Sequence, residues 1–191
     1  GTYVMLRHQE TSDPESLIDR IVRYSATHAV VWSWDPLDHL EVPDPPPSDW
    51  LHANAVTVTD SHVYLSCRNR DQILVLDADS GALQETIGRG GDYLLGAGDW
   101  FIGQHDPELQ PDGSWMIYDN RGAGLHSRVI QLVLDPATKT ADTAWSFPGA
   151  SVQADPWYTE DWYSSIWGDA DVLSNGNVLV AAGTRDEGRE S

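Results

Sequence analysis

Val63-Tyr64-Leu65-Ser66-Cys67-Arg68 and Ile73-Leu74-Val75-Leu76-Asp77, separated by the polar run 69–72, read as two neighbouring strands of one sheet. Each is short, rich in β-branched and apolar residues, and bounded by turn formers. The pattern recurs. His52 opens the first copy, and His105, 53 residues later, opens a second that continues through Trp115-Met116-Ile117-Tyr118-Asp119 and Val129-Ile130-Gln131-Leu132-Val133-Leu134-Asp135. A third copy begins near Gly168-Asp169 and runs through Ser174-Asn175-Gly176-Asn177 into Val178-Leu179-Val180, and residues 3–34 resemble the tail of an earlier one. Four strands in roughly 50 residues is the arithmetic of a β-propeller blade. The expected fold class is therefore all-β: a β-propeller, present as a fragment of three to four blades. Residues 1–191 are expected to form part of a single propeller domain truncated at both ends.

Working outward, short strands are also expected at Tyr3–Arg7, Ile21–Tyr24, Ala29–Trp34, Ala55–Thr59, Leu83–Ile87 and Thr143–Phe147. Little room remains for helix. The one helix-like segment is Asp13–Arg20, where Pro14 suits a first-turn position after Asp13. The proline-rich stretch Pro43–Pro47 has repeats on both sides, so it reads as a stiff loop between blades and not as a domain linker.

Composition narrows the function. The chain has 191 residues, 30 acidic against 11 basic side chains, a formal net charge of −19, and 40% hydrophobic residues. Such a chain can bury a core, which excludes a disordered tail. Its charge repels phosphate backbones and anionic lipid headgroups, so neither nucleic acid nor a membrane surface is an expected partner. No stretch approaches the ~18 uncharged apolar residues of a spanning helix. Cys67 is the only cysteine, so no disulfide forms within the chain.

If the repeats are blades, equivalent positions converge on a central channel. His52 with Asn54, and His105 with Asp106, stand at the starts of successive copies. Paired imidazoles at one mouth serve as acid, base, nucleophile or metal ligand. Arginine is scarce, and Arg68, Arg121 and Arg128 follow the second strand of a blade. A guanidinium fork matches carboxylate, phosphate or sulfate oxygens, and in so acidic a chain it also braces turns through a neighbouring Asp. The other histidines, His8, His28, His39, His62 and His126, lack repeat partners and read as structural or exposed.

At these residues the sequence resembles the bacterial arylsulfotransferase family, the phenol-utilising, PAPS-independent kind, from about Ala29 to Ala182. The resemblance rests on Val31-Trp32-Ser33-Trp34 with Asp38-His39, Asp49-Trp50-Leu51-His52-Ala53-Asn54, Ser66-Cys67-Arg68, Gln104-His105-Asp106, Tyr118-Asp119-Asn120, Ser127-Arg128 and Asn175-Gly176-Asn177-Val178-Leu179. It implies a six-bladed propeller that moves a sulfuryl group from a phenolic sulfate ester to a phenol through a sulfated histidine. His52, His105 and Arg121 would be the catalytic residues; Asn54, Arg68, Asn120 and Arg128 would bind substrate. No metal or other cofactor is implied. The partners would be an aryl sulfate and a phenol, and the location periplasmic or secreted.

Two features depart from the family pattern. The strand Val178–Ala181 leads into Gly183-Thr184-Arg185-Asp186, where the family places its sulfate-accepting histidine, and Arg121 follows Asn120 directly, with Gly122-Ala123-Gly124 after it. The alternative is accordingly a non-catalytic propeller that binds a ligand or protein through its channel face, with Trp157, Trp162 and Trp167 as stacking platforms. A third reading makes His52, His105, Asp106 and Asp169 the ligands of a metal-dependent hydrolase.

Overall fold

The computed structural model describes residues 1–9, 17–43, 48–96, 98–121, 126–148 and 163–183. The chain is mostly β, arranged in several antiparallel sheets with little helix, and it divides into two compact units, Gly1–Thr86 and Ile87–Ser191.

The first unit holds two sheets. One is the antiparallel set β1 (Thr2–Gln9), β2 (Leu17–Tyr24) and β3 (Val30–Trp34), followed by a single helical turn, α1 (Pro36–His39). The other takes β4 (Ala53–Val58), β5 (His62–Cys67), β6 (Gln72–Asp77) and β7 (Leu83–Gly88) in chain order. Alternation explains the core. Val63, Leu65 and Cys67 of β5 share one face, with Leu76 opposite Val63 and Leu74 opposite Leu65, and this face packs with Ile21, Trp34, Trp50 and Leu51.

The aspartate that ends the repeat has a local purpose. Asp77 Oδ1 accepts hydrogen bonds from the Ser80 amide (2.8 Å) and the Ser80 hydroxyl (2.7 Å), closing the turn between β6 and β7. These bonds hold its carboxyl below the usual range. The Trp34 indole N–H donates to the Gly81 carbonyl across that turn (3.0 Å). Gly81 is required there: its φ is +74°, and a Cβ would lie 2.8 Å from the Trp34 ring.

The second unit repeats the four-strand arrangement. Its main sheet has the order β8 (Leu94–Leu95), β12 (Thr140–Phe147), β11 (Arg128–Asp135), β10 (Trp115–Asp119), β9 (His105–Leu109), so β9 to β12 again lie side by side in chain order. A two-stranded sheet, β13 (Asp169–Val172) with β14 (Val178–Ala181), supplies Ala170, Val178 and Val180 to a cluster with Met116, Tyr118 and Val129. Asp135 Oδ1 accepts from the Ala137 amide (2.9 Å), the counterpart of the Asp77 turn.

One expectation is overturned. Leu17–Arg20 is the first half of β2 and not part of a helix. The Asp19-Arg20 pair disguises it: Asp19 is buried and accepts the Ala53 amide (2.8 Å), while Arg20 pairs with Asp35. Residues 10–16, most of the proline-rich stretch, Trp157 and Trp162 lie outside the described residues.

Candidate functional site

In the first unit the site begins with a pinned loop. Trp50 and Leu51 are buried, the Leu51 carbonyl accepts the Asn69 amide (3.1 Å), and the His52 carbonyl accepts the Arg68 amide (3.1 Å). The Asn69 side chain donates to the Asp49 carbonyl (2.7 Å) and accepts from the Arg68 guanidinium (3.0 Å). The loop is thus fastened to the one-turn 3-10 helix Arg68–Arg70 that follows β5. His52 is held in the left-handed region at φ +48°, one residue before β4.

The His52 side chain is 32% exposed, and its Nδ1 lies 2.6 Å from Asp49 Oδ2. A carboxylate only accepts, so Nδ1 carries a proton, and in its neutral form the ring presents its lone pair at Nε2. Among the described residues Nε2 has no hydrogen-bond partner, and it opens to solvent. A carboxylate-oriented imidazole with a free nitrogen is equipped to take up and return a proton.

In the second unit His105 has a different setting. Its ring is buried; Nδ1 lies 2.8 Å from Asn120 Oδ1, and Nε2 accepts the Trp167 amide N–H (3.2 Å). Asn120, itself buried, donates its amide to the carbonyls of Ser164 (2.9 Å) and Trp167 (2.7 Å). Ser127 Oγ joins the network by donating to the Asn120 carbonyl (3.0 Å) and accepting the Ser164 amide (2.9 Å). Both nitrogens of His105 are therefore committed, and the cluster ties β9, the end of β10 and the segment before β13 together. Trp167 contributes backbone to this tie while its side chain remains exposed.

The ladder also separates the two histidines. Ala53 faces Cys67 and His105 faces Tyr118, and in each pair of strands the register breaks just beyond. By this register the counterpart of His105 is Ala53, with His52 one residue earlier. His105 is thus the first residue of its strand, while His52 precedes its own by one.

The expected anion holders meet the protein's own carboxylates. Asp119, fully buried, accepts Arg128 Nε (2.7 Å), the Ile102 amide (2.9 Å) and the Arg121 amide (3.1 Å). Burial pushes its carboxyl up, against the pull of the Ile102 amide and Arg128. Arg128 also donates to the Asp99 carbonyl (2.7 Å), and the Arg121 guanidinium lies 3.5 Å from the exposed Asp99 carboxylate. Arg68 contacts Asn69 as described, and Asn54 sits at the β4 bulge. The roles of Asp49, Asp99, Ser164 and the Trp167 backbone were not foreseen; the three-residue spacing of Asp49 and His52 was the one signal available.

Asp106, half-buried beside His105, has its carboxyl raised to about 7, first by burial and then by Asp169, Glu108 and Asp171. Among the described residues no three His, Cys, Asp or Glu side chains converge as a metal site. A cavity of about 660 Å³ in this unit, lined by Met116, Gln131, Trp145, Phe147, Val178 and Val180 among others, contains none of the expected site residues.

A search of curated proteins found no match. The sequence model of the family described as Arylsulfotransferase (ASST) matches residues 2–191, almost the whole length, and the chain belongs to the arylsulfotransferase family.

Proposed function

We propose that this chain is part of the propeller of an arylsulfotransferase that moves a sulfuryl group from a phenolic sulfate ester to a phenol. The family match over residues 2–191 carries the reading, and the open Nε2 of His52 supports it. On this reading the two four-strand sheets are successive blades, the chain supplies three to four of six, and the protein works in the periplasm or outside the cell.

The chemistry needs no redox partner. The sulfur–oxygen bond to the donor breaks, a sulfur–oxygen bond to the acceptor forms, and the acceptor's phenolic proton ends on the departing phenolate. His52 takes that proton and returns it. Arg68, fastened beside the His52 loop, supplies positive charge for sulfuryl oxygens. His105, Asn120 and Arg128 hold the frame of the second unit, where the largely buried Arg121 guanidinium lies 3.5 Å from the exposed Asp99 carboxylate.

The test is release of p-nitrophenol from p-nitrophenyl sulfate with phenol as acceptor. Release that depends on phenol and is lost in His52→Gln supports transfer. A folded protein that releases none points to the second reading, a propeller that binds a ligand or partner without turnover. Two observations favour that alternative: Thr184-Arg185-Asp186 follows β14 where a histidine is expected, and His105 has no free nitrogen.

A further inference from the structure

Asp49 and His52 are each fixed by backbone before their side chains meet. Asp49 forms a parallel bridge with Leu17, the Leu17 amide donates to the Ser48 carbonyl (2.7 Å), and the Asp49 carbonyl receives the Asn69 side chain (2.7 Å). His52 is clamped through its carbonyl to Arg68 and through the next residue to Asp19, whose carboxylate accepts the Ala53 amide. The contact at 2.6 Å therefore joins two side chains whose main chains have little freedom.

We infer that Asp49 is the positioning residue of His52, locking its ring as the Nδ1–H tautomer with a bare, outward Nε2, and that His52 rather than His105 is the proton acceptor. The inference rests on the sulfuryl-transfer reading for the identity of the proton donor, a phenol hydroxyl. When the phenolic O–H bond breaks, its proton forms a bond to Nε2 and its electron pair stays on the phenolate oxygen. The imidazolium so formed has the Asp49 carboxylate against its other nitrogen. The proton then leaves Nε2 for the departing phenolate, and His52 returns to its starting tautomer.

His105 has the same tautomer but no such freedom. Its Nε2 lone pair is directed at the Trp167 N–H and its Nδ1–H at Asn120, so a phenol proton could enter only by displacing a backbone bond. The two histidines thus divide into a proton carrier and a structural tie.

Nitrogen-15 spectra of the imidazoles in the full chain, at a pH well above the ordinary histidine range, read this directly. His52→Gln identifies the His52 signals by their loss. The wild type is expected to show His52 protonated at Nδ1 and bare at Nε2. Asp49→Asn, with the fold verified by its melting curve, is expected to move the proton to Nε2 and to lower kcat by about 10³-fold or more with KM little changed, as the wrong tautomer does in carboxylate–histidine pairs. A wild-type His52 protonated at Nε2 overturns the inference, as does an Asp49→Asn protein that keeps both tautomer and kcat. The wild-type spectrum needs no substrate, and the Asp49→Asn variant is not required to read it. Loss of the transfer reading, seen as no phenol-dependent release, is thereby distinguished from loss of the positioning role.

Discussion

His105 Nδ1 and Asn120 Oδ1 are 2.8 Å apart in a region almost free of solvent, and the remaining polar atoms of both side chains are bonded to main chain around Ser164 and Trp167. Removing Asn120 takes its amide from the Trp167 carbonyl and its oxygen from the His105 N–H, while the Ser164 carbonyl keeps the Ser127 hydroxyl, and buried polar groups that lose a partner cost about 1–3 kcal/mol each before relaxation. Asn120→Ala is expected to destabilise the protein by about 3 kcal/mol in urea unfolding. A change under about 0.5 kcal/mol, the scale of an ordinary surface substitution, would show that the network does not hold the fold.

The Arg128–Asp119 pair gives a prediction with a pH signature. Asp119 is fully buried, so Arg128→Met strands a carboxylate that has lost its one guanidinium contact and keeps two amide donors. Breaking a buried pair from one side costs about 3–5 kcal/mol. Burial already raises the Asp119 carboxyl, and without Arg128 it rises further. A carboxyl with a raised folded pKa loses stability as pH climbs from its unfolded value through its folded one. The variant's deficit should therefore be larger at pH 8 than at pH 5, and a deficit independent of pH would contradict this account.

How much of this was legible depends on whether side chains or backbone carry the information. β5, β6, β10 and β11 were plain because runs such as Ile73-Leu74-Val75-Leu76 have only one way to be buried. β9 was hidden: His105-Asp106-Pro107-Glu108-Leu109 has charge and proline where a strand should be apolar. It is tolerated because β9 is an edge strand with a register break, where proline removes no needed bond. Asp169–Val172 was missed for a similar reason, since its carboxylates stand on a short strand. In the site, residue type pointed to His52, His105 and Asn120, but the distinction between an open and an occupied Nε2 lies in the Trp167 amide, which no side-chain motif encodes.

Asp106 sets a second pH dependence, and its sign follows from the direction of the shift. Its carboxyl titrates near 7 in the folded protein, against about 4 in an unfolded chain. Folding therefore favours the protonated form, so this group's contribution is full below pH ~4 and is lost as pH rises through about 7. Solvent screening of a half-buried group reduces the effect, and it should amount to about 1 kcal/mol. Asp106→Asn is expected to be more stable than wild type at pH 8, with the advantage vanishing near pH 4. Thermal melts at both values check this, and equal differences at both would exclude Asp106 as the source.

The charge balance makes the last prediction a kinetic one. An aryl sulfate is an anion approaching a chain of net charge −19, and two of the arginines expected to hold it, Arg121 and Arg128, already face Asp99 and Asp119. Long-range repulsion then slows encounter, and salt relieves it, because the screening length falls from about 30 Å at 0.01 M to about 8 Å at 0.15 M. The value of kcat/KM for p-nitrophenyl sulfate should rise about threefold over that range, while kcat, set after binding, stays nearly flat. Most anion-binding enzymes behave oppositely, since a basic funnel loses its pull as salt increases. A fall in kcat/KM with salt would mean that Arg68 and its neighbours create a local positive field strong enough to override the molecule's overall charge.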